Sequence, residues 1–207
     1  MIERKILIRM ARFCACWAAT WDHYILARCL RKYGDFLRNL GHFQFARDAL
    51  LEALRLSGHG RGTRQRIYIL GCLGDLERQK RNYAAASEHL ERAVELARAT
   101  FIPGWLGNLH LALAELALDR NRFDDAKNLL EQAEAHYKNT HPKHWWGQIQ
   151  VGLARCRLIR AAGNQEWPEF ARALHLEAIA AGYSRDAAFA SELLNGQPHP
   201  RNVLMFL

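Results

Sequence analysis

The sequence predicts an all-α fold of repeated antiparallel helix pairs, and three observations carry that prediction. Small, aromatic and alanine residues recur at a fixed separation of 40 residues, the mark of stacked supersecondary units. Alanine and leucine are abundant while prolines number only five, a balance that suits helices better than strands. Short polar stretches divide the apolar-periodic segments into helix-sized lengths.

The recurrences form five columns: Gly34, Gly74, Ala114 and Ala154; Phe43, Tyr83 and Phe123; Ala46, Ala86 and Ala126; Leu50, Leu90 and Leu130; Ala53, Ala93 and Ala133. Each column has a steric meaning. A small residue on a first helix lets a second helix cross closely, where a larger side chain would hold the axes apart. The aromatic opens the second helix and fills the wedge. Alanines at i and i+7 then line one face of that helix, where the next unit packs. A pair of this kind cannot bury its apolar face alone, so stacking follows.

Taken along the chain, residues 1–20 read as an extra N-terminal helix, 21–181 as the repeat array, and 183–207 as a capping helix with an apolar tail. The polar turns inside the first three units are Asn39–His42, Lys80–Asn82 and Asp119–Arg122. A fourth unit keeps a small residue at Leu153-Ala154 but inserts residues before its second helix, so that Ala171 and Ala178 recover the alanine pair late. Trp167-Pro168 opens that helix, at a position where proline is tolerated. Gly182 reads as a C-cap and Ser184 as the N-cap of the capping helix. The tail Val203–Leu207 either folds back on the last helices or docks into another chain to form a homo-oligomer. Trp105 and Trp145 share a column with Trp146 alongside. They either plug unit junctions or form an aromatic rim that anchors a partner.

These columns resemble the tetratricopeptide repeat family, whose pattern runs small residue, aromatic, alanine, large apolar, alanine. The family's usual period is 34 residues. The longer spacing here resembles the extended repeats of signal-sensing regulators. The resemblance spans about residues 21–181 and implies a right-handed superhelical solenoid of about four repeats plus the capping helix. It further implies a concave groove lined by first helices. Carried over position by position, that lining is Arg28, Arg31, Asp35, Arg38 and Asn39; Tyr68, Asp75, Arg78 and Gln79; Asn108, Leu111 and Glu115; and Gln148, Val151 and Arg155. Family members that bind chaperone tails use a lysine-asparagine clamp. Here Arg31 and Asp35 stand where that pair would fall, with Cys72 and Ala112 at later clamp positions, which disfavours such a ligand. Arginines toward the N-terminal end suit an acidic or phosphorylated segment of a protein partner.

The remaining residues point away from catalysis. The run Gly58-His59-Gly60-Arg61-Gly62 lacks the lysine and the strand-to-helix context of a phosphate loop and reads as a flexible connection. No His-Glu-x-x-His or nucleophile-elbow motif occurs. His136, His141 and His144 read as polar residues of the connection between the third and fourth units, and Cys14/Cys16 with His23 as no metal site. Asp124-Asp125 and Glu131/Glu134 read as a solvated helix face. We therefore expect neither an enzyme nor a cofactor. Five cysteines without paired spacing fit reduced thiols. No apolar run reaches the length of a membrane span, and Arg9 and Arg12 interrupt any signal-peptide core. A soluble, cytoplasmic protein is expected. The net charge of +8 is consistent with solubility or an acidic partner. Nucleic-acid binding through the basic N-terminal half is disfavoured by interspersed Asp22, Asp35, Asp48 and Glu52 and by the lack of a base-reading module. The remaining alternative is a sensor arm serving a larger signalling ATPase or transcription regulator, which another chain would supply.

Overall fold

A computed structural model describes residues 23–58, 62–100, 103–138 and 145–195. The N-terminal segment 1–20 with Cys14 and Cys16, the loop residues His141 and His144, and the tail Val203–Leu207 lie outside the described residues. Among the described residues there are nine helices and no strand: α1 (His23–Asn39), α2 (Phe43–Leu56), α3 (Thr63–Gln79), α4 (Tyr83–Thr100), α5 (Pro103–Asp119), α6 (Phe123–Lys138), α7 (Trp145–Ala161), α8 (Trp167–Ala180) and α9 (Ser184–Leu194). Phe43, Tyr83 and Phe123 are the first residues of α2, α4 and α6, as their column predicts. The described residues gather into two compact units, divided within α4 between Leu96 and Ala97.

In the first unit α1 packs on α2, α2 on α3, and α1 directly on α3. The small-residue column is explained by contact. A methyl group placed on Gly34 would lie 2.7 Å from Leu50 Cγ, and one on Gly74 would lie 2.6 Å from Leu90 Cγ. Both distances are below van der Waals separation, so the leucine side chains sit directly over the glycine backbone. Ala46, Leu50, Ala53, Ala86, Leu90 and Ala93 are all fully buried. Burying a leucine side chain is worth roughly 1.5–3 kcal/mol, and these columns supply the drive for pairing.

In the second unit α5 packs on α6, α6 on α7, α7 on α8, and α8 on α9. One core cluster joins Leu111, Ala114, Ala126, Leu130, Ala133 and Tyr137 to Val151 and Ala154 of α7. A second joins Ile149, Leu153 and Cys156 of α7 to Ala171, Leu174 and Ala178 of α8 and to Ala187 and Ala190 of α9. In the fourth pair the close approach moves. Leu174 lies over Gly152, 2.7 Å from where a methyl would stand, whereas Ala154 packs into the core of the third pair. The inserted residues before α8 shift the register by which that helix meets α7.

The turns share one geometry. His42 N donates to Leu37 O at 2.9 Å and Gly41 N to Arg38 O at 3.0 Å. The same two bonds recur for Asn82 and Arg81, Arg122 and Asn121, Asn164 and Gly163, and Tyr183 and Gly182. This is the Schellman arrangement, with one left-handed residue closing each helix. That residue is glycine at 41, 163 and 182, but Arg81 with φ 62° and Asn121 with φ 57° in the middle turns. Gly182 thus closes α8 as expected. The capping helix begins at Ser184, whose side chain lies outside the described residues.

Candidate functional site

The stripe expected to line a groove is drawn together on α1 and α3 of the first unit. Most of it is turned to internal use. Asp75 is fully buried on α3, and its carboxylate accepts from Arg38 of α1, from Arg78 Nη2 at 2.7 Å and from Gln79 Nε2 at 3.0 Å. Arg38 also donates to Asp35 from Nη2 at 2.7 Å. Burial alone would raise the Asp75 carboxyl, but Arg38 and Arg78, with the hydrogen bonds from Arg78 and Gln79, hold it below its ordinary value. Burial would likewise lower the Arg38 guanidinium, and Asp75 and Asp35 raise it instead. Cys72 sits among these charges, its thiol pushed up to about 12 by burial and then by Asp35. It is a buried thiol without thiolate character.

These contacts alter the reading of the stripe. Asp35, Arg38, Asp75, Arg78 and Gln79 are buried and bonded to one another, so they join α1 to α3 rather than presenting charge outward. Asn39 is half-buried at the end of α1, with its Oδ1 unbonded. Leu111 and Val151, also carried over as lining, belong to the core of the second unit. In that unit Asn108 accepts from the Tyr137 hydroxyl at 2.6 Å, Glu115 is engaged by Arg157, and Arg155 pairs with Glu134. Gln148 is half-buried. Trp105 and Trp146 are half-buried, and Trp145 opens α7 with its side chain outside the described residues.

Arg31 is the exception. It is buried at 4% exposure, yet its Nε and Nη1 make no hydrogen bond. Its guanidinium carbon stands 5.0 Å from the centroid of the Tyr68 ring on α3, a cation–π distance. Arg28, one turn earlier on the same face of α1, is exposed. Adjacent Lys32 has its ammonium lowered by burial and then by Arg31, so the turn carries a positive field. Beyond Tyr68 on the face of α3, Gln65 is buried with its Oε1 also unbonded.

Histidine placement departs from the loop reading. His136 lies on α6, not in the connection, and its ring stacks on that of His110 from α5, with centroids 5.1 Å apart and planes 18° from parallel. Burial, with His136 and Arg98 nearby, pushes His110 down to about 4. Stacked rings direct their nitrogen lone pairs side by side rather than toward a common point, which does not suit a shared metal. Among the described residues no group of three or more histidine, cysteine or carboxylate side chains is placed to hold a metal ion. No described helix is long and apolar enough to cross a membrane.

Residues 65–139, covering nearly all of α3 through the end of α6, match the tetratricopeptide repeat family model. Over that stretch the chain carries tetratricopeptide repeats. Its second and third helix pairs carry the match, and repeats of this family are generally protein–protein interaction modules. Neither a curated protein nor a solved structure shows significant similarity to the chain. Two features of the repeats escaped sequence reasoning. One is a further column, Ser57, Ala97 and Tyr137, all buried at the same 40-residue step. The other is the left-handed turn position, which glycine marks at 41 but arginine and asparagine occupy at 81 and 121.

Proposed function

We propose that this repeat protein is a non-enzymatic scaffold that holds an acidic or phosphorylated segment of a protein partner along the α1–α3 face of its first unit. The observation that supports this reading is the turn of α1 bearing Arg28, Arg31 and Lys32, where positive charge accumulates beside Tyr68. Electrostatic steering and charge-assisted hydrogen bonds favour an anionic segment there. The remaining arginines of the stripe contribute little to this attraction, because Asp35 and Asp75 neutralise Arg38 and Arg78. The same neutralisation argues against a nucleic-acid surface, which needs a continuous row of outward cations. A sensor arm for a separate ATPase or transcription regulator would use the same binding chemistry, and co-purification with such a chain would distinguish it.

Photo-crosslinking tests the face. A photoreactive residue replacing exposed Arg28 on α1 should capture a partner in the native host, whereas one replacing exposed Glu88 on α4 should not. Capture from position 88 alone would overturn the assignment.

A further inference from the structure

We infer that the tail Val203–Leu207 folds back across the outward face of α8 and covers it within the same chain. That face departs from the pattern of the repeat. The buried residues Ala171 and Ala178 of α8 answer Ala126 and Ala133 of α6. In that register Phe170, Ala173, Leu176 and Ile179 stand where α6 carries Asp125, Asn128, Glu131 and Glu134. Leu176 is 66% exposed, Ile179 54% and Phe170 39%, with Ala173 exposed among them. Four polar positions of a helix face have thus become apolar, although neither α7 nor α9 buries them. The second helix α2 repeats part of the exchange at Phe45 and Leu51, also exposed, but keeps Asp48 where α8 has Ala173. An apolar stripe on one helix face calls for a covering element.

The tail sets out from the right place. Tyr183 N donates to Ala178 O at 2.8 Å, and His175 Nδ1 lies 2.7 Å from Ala187 O, so α9 runs antiparallel along α8. Carried on at that register, Leu194 comes level with the start of α8, and Leu194 and Trp167 pack on the same core cluster. Pro198 and Pro200 follow, and neither suits a helix interior. Residues 195–202 can span up to about 26 Å, while the face from Phe170 to Ile179 is roughly 14 Å long. Extended, the run Val203–Leu207 covers about 16 Å, which matches that face. Charge agrees as well. The exposed charged residues of α8 are Glu169, Arg172 and Glu177, and residues 195–207 bring Arg201 and no acidic side chain. A second copy is the poorer occupant. A stable dimer buries about 800 Å² on each partner, more than one helix face of this length offers, whereas a tethered segment avoids the translational cost of association.

The test uses the purified full chain with a photoreactive residue replacing Leu204. Irradiation should join that position to α8 between Glu169 and Ala180, within one chain and independently of protein concentration. Leu176→Glu combined with Ile179→Glu restores the polar character that α6 has at these places. It should lower the yield of that crosslink by about tenfold or more, since burying even one such side chain shifts an equilibrium that far. Helical circular dichroism should be unchanged, because both side chains are exposed. Should the double variant lose helical signal, the single variant Ala173→Glu takes its place, with the same loss of crosslink expected. The inference fails if position 204 joins another helix or nothing, or if the glutamate variants keep the full yield. It fails too if the crosslink forms only between chains and grows with concentration, which would give the face to a second copy.

Discussion

The two units solve the same packing problem with different chemistry. In the first, the first helices are joined by a buried ladder in which Asp75 lies between Arg38 and Arg78, all at 5% exposure or less. In the second, the column that supplied Arg38 and Arg78 holds Leu118. There Arg157 from α7, its side chain 24% exposed, reaches back to buried Glu115 and to Asp119. The second unit relies more on shape. The Tyr137 ring lies against both Gly107 of α5 and Gly147 of α7, where added methyl groups would stand 2.7 Å and 2.5 Å from Cε1. Those glycines are themselves one period apart, so the large ring at 137 is matched by missing side chains on two successive first helices. The lesson is that one column pattern tolerates either paired charge or a fitted ring, provided that the space and the donors are complete.

The largest expected effect breaks the ladder. Asp75→Ala leaves two buried guanidinium groups without their shared carboxylate and should cost about 3–5 kcal/mol, whereas Arg155→Ala in the second unit, cutting its partly exposed pair with Glu134, should cost about 1 kcal/mol or less. Denaturant unfolding of both variants checks the contrast, and equal losses would erase the distinction between the units.

Acid should act next, through buried histidines. His110 is held neutral in the fold, so the unfolded chain binds its proton first. The stabilisation is complete above the ordinary value of 6.5 and is lost as the pH falls from there toward about 4. His136 is lowered by burial and by Arg98, and acts in the same direction. Asp75, by contrast, is depressed below its ordinary value of 3.8, so its contribution begins to fall only in stronger acid. Melting temperatures between pH 7 and 5 should decline, and His110→Leu should flatten that decline. An unchanged slope in the variant would remove the histidine pair as its cause.

The smallest effect sharpens the repeat itself. Arg81 occupies a left-handed position that glycine fills in three of the five turns. Arg81→Gly should stabilise by about 0.5–1 kcal/mol, the left-handed cost to a side-chain-bearing residue less the added chain entropy of glycine. Calorimetry would detect it, and a destabilised variant would mean that the Arg81 side chain has a packing role.

Much of the architecture was legible in the chain alone. Gly34 and Gly74 announced close helix crossings, Phe43, Tyr83 and Phe123 announced where second helices begin, and Ala171 with Ala178 announced a late fourth pair. The turn at Arg81 was invisible because its left-handed φ carries no glycine to mark it. The site was only half legible. Arg31, Arg38 and Arg78 look alike in sequence, since a polar stripe on a first helix has the same spacing whether it faces water, a ligand or its own neighbour.

Sequence by itself determined the helical period and the residues that permit close packing, because both depend on local side-chain size and helical geometry. Tertiary structure decided which charges are spent. Only the approach of α3 to α1 shows that Asp75 satisfies Arg38 and Arg78 while Arg31 meets a ring in place of a carboxylate. Partner choice among buried ions is settled by distances across the chain, and those exist only once the helices are packed.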